Sequence, residues 1–126
     1  MSGFAFDANI VIDALAGFPA ARIEIERAIG LDSRPWISRM AWIEVLSKGN
    51  EAMVKDALVF LSHFGLDEID DEISRRAAAL RRERPRLKSP DAIILATAQI
   101  RGRVLITRNT KDFPAAMPGI RVPYTL

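Results

Sequence analysis

The fold is decided by LKSPDAIILATAQIRGRVLITRN, residues 87–109. Ser89 has the chemistry of a helix N-cap, Pro90 suits the first helical position and Asp91 falls in the first turn. Gly102 follows Arg101, where a helix starting at Ser89 would end. The body of that helix, AIILATAQI, is apolar on nearly every face, so it belongs in the interior. Val104 to Thr107 then reads as a short buried strand. A buried helix feeding a buried strand is the unit from which α/β proteins with mainly parallel sheets are built.

The rest of the chain repeats the alternation. Phe4-Ala5-Phe6 reads as a short buried strand ending at Asp7, and a helix follows from Asn9 to Ala16, stopped by Gly17. Pro19 opens a second helix running to Gly30, with Ala20, Ile23 and Ala28 inward. SRPWIS is a loop with room for a short strand, and Ser38 caps the helix RMAWIEVLSK. Glu51 to Phe64 is helical, with Met53, Ala57, Phe60, Leu61 and Phe64 at core spacing. Leu66 to Ile69 reads as a strand, Asp71 to Arg84 as a helix ended by Pro85, and Ile120 to Val122 as a last strand. The expectation is one α/β domain spanning residues 1–126, with helices flanking a central, mainly parallel sheet in three layers. The helix-rich middle leaves an all-α arrangement as the weaker option.

Composition narrows the chemistry. There is no cysteine and one histidine, so disulfides and thiolate metal sites are excluded. The N-terminal stretch MSGFAFDANIVIDALAG carries Asp7 and Asp13 and no positive flank, which predicts no secretory leader, and no run is long enough to span a membrane. A cytoplasmic location is expected. The formal net charge of +2 hides an asymmetry. Residues 75–88, RRAAALRRERPRLK, hold seven Lys/Arg and one Glu (+6), leaving eleven Lys/Arg against fifteen Asp/Glu (−4) elsewhere. Concentrated positive charge attracts polyanions, so Arg82, Arg84, Arg86 and Lys88 are candidate contacts for a nucleic-acid backbone. The bland reading is a solvated helix face.

In an open parallel sheet, sites form beyond the carboxyl ends of the strands. Asp7 closes the first strand, Asp91 starts the buried helix, and Asn109 and Asp112 follow the strand ending at Thr107. Glu44 sits inside MAWIEVL among bulky apolar neighbours, where a carboxylate is costly unless a cation compensates. Each residue also has a structural explanation: Asp7 as a cap, Asp91 as a dipole partner, Asp112 as a turn residue, Glu44 as an ion-pair partner of Lys48. Together they form an all-oxygen donor set suited to Mg²⁺ or Mn²⁺ rather than Zn²⁺. Acids holding Mg²⁺ beside a basic rim are apparatus for phosphodiester hydrolysis by a metal-activated water.

Four motifs, in order and spacing, resemble the PIN-domain family. They are FAFDANIVIDAL (4–15), SRMAWIEVL (38–46), LKSPDAIILATA (87–98) and VLITRNTKDF (104–113); the tail MPGIRVPYTL (117–126) also fits. A lone PIN domain of this size is similar to the VapC toxins of type II toxin–antitoxin systems. The resemblance implies an Mg²⁺-dependent endoribonuclease, with Mn²⁺ as a substitute. Its implied partners are RNA, a VapB-like antitoxin that inserts into the active groove, and a second copy of the chain, with operator DNA bound only through the antitoxin. By position, Asp7 and Asp91 would be the main metal ligands and Glu44 would complete the acidic cluster. Asn109 and Asp112 compete for a fourth place, and Thr107 and Asn109 would orient substrate. Asp13 is expected on the polar face of the first helix, His63 at the surface, and Trp36 and Trp42 in the core or an interface. A haloacid-dehalogenase-type phosphatase needs an acid two residues after Asp7, and Asn9 stands there. The remaining alternative is a catalytically silent PIN-like module that binds RNA or protein.

Overall fold

The computed structural model describes residues 3–32 and 34–126. Its eleven elements run β1 (Phe4–Phe6), α1 (Ala8–Leu15), α2 (Pro19–Asp32), β2 (Trp36–Ser38), α3 (Arg39–Leu46), α4 (Glu51–Leu61), β3 (Gly65–Asp67), α5 (Asp71–Glu83), α6 (Ser89–Arg101), β4 (Val104–Ile106) and β5 (Ile120–Arg121). The strands form one sheet in the order β3-β2-β1-β4-β5, and every pairing is parallel. The α/β expectation therefore holds. Right-handed crossovers from β1 through β2 to β3 put α1–α4 on one face, and the return from β3 to β4 puts α5 and α6 on the other.

This order creates a switch point between β1, the central strand, and its neighbour β4. Phe4, Ala5 and Phe6 lie opposite Val104, Leu105 and Ile106, which leaves Asp7 and Thr107 side by side as the strands end. The core is built around this pair. Phe6, Ile10, Ile94, Leu95, Leu105, Ile106 and Phe113 are fully buried, and Phe6 meets Phe64 edge to face with centroids 6.0 Å apart. Burial of these side chains stabilises the fold by roughly 1.5–3 kcal/mol each.

The capping chemistry holds in most places. Ser38 Oγ accepts the Ala41 N–H at 3.1 Å, and Gly102 ends α6 with φ 68°, a left-handed conformation that favours glycine. Several expectations are corrected. α6 is capped by Lys88, not Ser89, because the Ala92 N–H already bonds the Lys88 carbonyl at 2.9 Å. Gly30 lies inside α2, which continues to Asp32. Ile23 and Met53 are exposed rather than core; Met53 instead packs over Gly49, where any Cβ would strike its sulfur.

Candidate active site

Asp7 is held from every direction. Its N–H donates to the Ile106 carbonyl at 2.9 Å, continuing the β1–β4 ladder. One carboxylate oxygen accepts the Ala8 N–H at 2.7 Å and caps α1. The other accepts the Thr107 hydroxyl at 2.7 Å and the Asn9 amide at 3.3 Å. Thr107 Oγ1 in turn accepts the Asn109 N–H at 3.0 Å. Asn9 Oδ1 accepts the Arg108 N–H at 3.4 Å. Capping and site geometry are thus the same arrangement: the cap fixes the carboxylate at the sheet's carboxyl edge.

Asp7, Asn9, Glu44, Lys48, Asp91 and Asn109 line one open cleft of about 190 Å³. Three different local structures deliver the acids: a strand end, the body of α3 and the first turn of α6. Because α3 and α6 both begin at the carboxyl edge and touch one another, Glu44 and Asp91 reach the same place. Asp112 adjoins from the loop after β4. Asn109 and Asp112 are reciprocal partners: the Asn109 amide donates to Asp112 Oδ2 at 3.0 Å, and the Asp112 N–H donates to Asn109 Oδ1 at 3.2 Å.

The electrostatics are those of crowded acids. Burial pushes the Asp91 carboxyl up to about 6, helped by the charges of Asp112 and Asp7, a carboxyl–carboxyl hydrogen bond with Asp112, and the charge of Glu44. Burial also raises Glu44, with Asp7 adding to the effect and Lys48 opposing it. Asp7 is raised by burial and by Asp112, against the hydrogen bonds from Thr107 and Ala8 and the charge of Arg108. Among the described residues none of the four acids forms an ion pair.

Such a set fits a hard cation. The donors are oxygens, the acids outnumber Lys48 in the lining and form no ion pair among the described residues, and the cleft is open to water. Among the described residues no three acids converge into a ready-made cage. That is compatible with Mg²⁺, which keeps several waters and binds through one or two carboxylates.

The basic segment divides in two. Arg75 pairs with Asp71 at 2.7 Å and Arg76 with Glu83 at 3.9 Å, both near their own helix. Arg82, Arg86 and Lys88 are exposed. Arg84 is partly buried, with Nη2 donating to the Asp112 carbonyl at 2.6 Å. Sequence reasoning gave no part to Asn9 beyond its motif. It also put Asp13 on a polar helix face, whereas Asp13 is buried and accepts both Arg108 (2.6 and 3.1 Å) and the Tyr124 hydroxyl (2.7 Å). That network fastens the C-terminal tail to the loop beside Asp7, and only the oddity of an acid in the apolar run NIVIDAL hinted at it.

Residues 4–116 match the PIN domain. The chain belongs to the PIN-domain family. As a PIN domain it is similar to a chain of a toxin–antitoxin complex from Klebsiella pneumoniae, with 40% identity over 97% of this chain and 98% of that one and a TM-score of 0.82. It is also similar to a chain of DNA-bound VapBC from Salmonella typhimurium, at 27% identity, 96% coverage of both chains and a TM-score of 0.75. A chain of VapBC2 from Rickettsia felis bound to a promoter DNA fragment shares the fold at 18% identity, with 93% and 94% coverage and a TM-score of 0.74. Among curated protein sequences no relative matches.

Proposed function

We propose that this PIN domain is a VapC-type toxin: a Mg²⁺-dependent endoribonuclease held in check by a VapB-like antitoxin. The observation that supports this most is the cleft itself, where Asp7, Glu44 and Asp91, with Asp112 adjoining, outnumber the cation Lys48 that lines it with them, on a fold of this family. Likeness to a toxin–antitoxin chain at 40% identity over nearly the whole length supports the toxin role. The DNA-bound VapBC relative supports operator contact through the antitoxin, and a homodimer is the proposed state of the toxin. No helix among the described residues is long and apolar enough to cross a membrane, and cytoplasmic RNA is the proposed substrate.

Asp7 and Asp91 would be the principal ligands of Mg²⁺ or Mn²⁺, with Glu44 and Asp112 completing the shell directly or through water. Bound there, the ion supplies charge neutralisation and water activation for attack on phosphorus. The chain's own residues prepare the place. Thr107 and Asn9 fix the Asp7 carboxylate in one orientation, so little motion is needed on binding. Asn109 holds Asp112 by both ends. Asn109, which lines the cleft, would orient substrate; Thr107, expected to do the same, is fully buried and would act only through Asp7.

The test is cleavage of structured RNA by antitoxin-free protein. Wild type should cut with Mg²⁺ and stop with EDTA. Loss of a residue that merely supports a metal ligand typically costs about 10–100-fold, so losing a ligand itself in Asp7→Asn should cost at least about 100-fold. A wild type no faster than Asp7→Asn, while the antitoxin still binds, would leave the silent module as the answer.

A further inference from the structure

We propose that the hollow between the α5–α6 connection and the loop after β4 docks an RNA backbone phosphate flanking the one under attack. This rests on the ribonuclease reading above. The hollow measures about 450 Å³ and is lined by Arg84, Pro85, Arg86, Leu87, Lys111 and Asp112.

Its position is the first argument. Asp112 belongs to both places: its carboxyl meets Asp91 in the acid cleft, while its carbonyl accepts Arg84 from the hollow's side. A strand lying in the acid cleft therefore passes the hollow with an adjacent part of its backbone.

Charge is the second. Among the described residues Arg84, Arg86 and Lys111 form no ion pair, and neither do Arg82 and Lys88 on the same segment. Arg84 Nη1 is buried without a hydrogen-bond partner among those residues, while Nη2 donates to the Asp112 carbonyl. An acidic cleft repels a polyanion, and unneutralised cations beside it supply the compensating attraction.

The third argument is preorganisation. Leu87 is 2% exposed and anchors the connection in the core. Its N–H bonds the Arg84 carbonyl at 2.9 Å, and its own carbonyl accepts Arg81 Nε at 3.0 Å. Pro85 restricts the backbone between them. Arg86 is thus an exposed charge on a fixed frame, and the reciprocal Asn109–Asp112 bonds hold the turn that carries Lys111. Lys111 lies outside the basic run of residues 75–88 and joins it only through the fold.

The test measures binding of a short labelled single-stranded RNA by fluorescence anisotropy, in Mg²⁺, on the Asp7→Asn background so that the probe survives. Arg86→Ala/Lys111→Ala should weaken binding about tenfold and shrink the salt slope by about 0.7 for each phosphate no longer neutralised. Arg86→Lys/Lys111→Arg should restore most of the affinity, and Lys55→Ala, an exposed charge on α4, should change nothing. Both sites are exposed, so the fold should persist; circular dichroism verifies it. Unchanged affinity and slope in the double alanine variant would overturn the proposal, as would an Asp7→Asn protein that binds no RNA at all. Failure of the ribonuclease reading looks different: wild type would not cleave, whatever Arg86 and Lys111 do to binding.

Discussion

Two groups of acids, one buried and one gathered at an open cleft with Asp7 beneath it, are treated in opposite ways in this protein. Asp13, Glu24 and Asp67 each meet an arginine: Arg108 at 2.6 Å, Arg27 and Arg121 at 2.9 and 2.6 Å, and Arg103 at 2.6 Å. Asp7, Glu44, Asp91 and Asp112 meet one another instead. In the first group burial opposes ionisation, yet at Asp13 and Glu24 the hydrogen bonds and charges of their partners outweigh it and hold both carboxyls below their usual range. In the second, burial and mutual repulsion push Asp7, Glu44 and Asp91 above it. A fold that pairs three buried acids with arginines and gathers four others without an ion pair among the described residues, Lys48 alongside, has left room for an external cation. The first group fastens the sheet's surroundings, with Glu24 tying α2 to β5 and Asp67 tying β3 to the start of β4.

The comparison can be broken by removing charges from each group. Asp67→Ala should have the largest effect on stability. It leaves Arg103, only 9% exposed at its side chain and stacked 3.6 Å from the Trp36 ring, without that carboxylate. Losing one partner of a buried pair costs about 3–5 kcal/mol, readable as a lower urea midpoint. A loss below about 1 kcal/mol would mean the pairing is not structural.

Asp91→Asn should do the reverse in metal-free protein. The Asp91 carboxyl titrates near 3.8 when unfolded and about 6 when folded, so the folded state binds the extra proton. Its destabilisation is absent at low pH, grows as pH rises from about 4 and is complete above about 6, where it reaches about 1–2 kcal/mol once solvent screening is allowed for. Thermal melts in EDTA should show wild type losing more stability across the window than Asp91→Asn does, by that amount. Parallel curves would remove Asp91 from the repelling set.

The smallest effect is expected at the tail. Tyr124→Phe deletes one hydroxyl bond to Asp13 at 2.7 Å, worth about 0.5–1.5 kcal/mol by chemical denaturation. The Arg108 bonds to Asp13 remain, so RNA cleavage should change less than stability does.

How much of this was legible in sequence depended on the range of the interactions. The parallel sheet could be read because the AIILATAQI helix and the FAF and VLI strands have no polar face. Asp7 and Asp91 could be placed because strand ends and helix starts are local features, and the sheet brings them to one edge. Glu44 stood out as an acid in an apolar helix. What sequence could not show was pairing across long separations: Asp13 with Arg108 and Tyr124, Glu24 with Arg121, and Lys111 beside Arg84. None of these pairings has a local signal in the sequence. Asn109 and Asp112 seemed to compete because sequence spacing cannot show that a three-residue turn lets their side chains bond each other.

Calorimetric titration of the antitoxin-free protein with Mn²⁺ tests the unneutralised acids most directly, using wild type, Asp91→Asn and Glu24→Gln. The account predicts binding by wild type and by Glu24→Gln, and at least about 100-fold weaker binding by Asp91→Asn. A wild type that takes up no Mn²⁺, or an Asp91→Asn protein that binds it as well as wild type does, would contradict it.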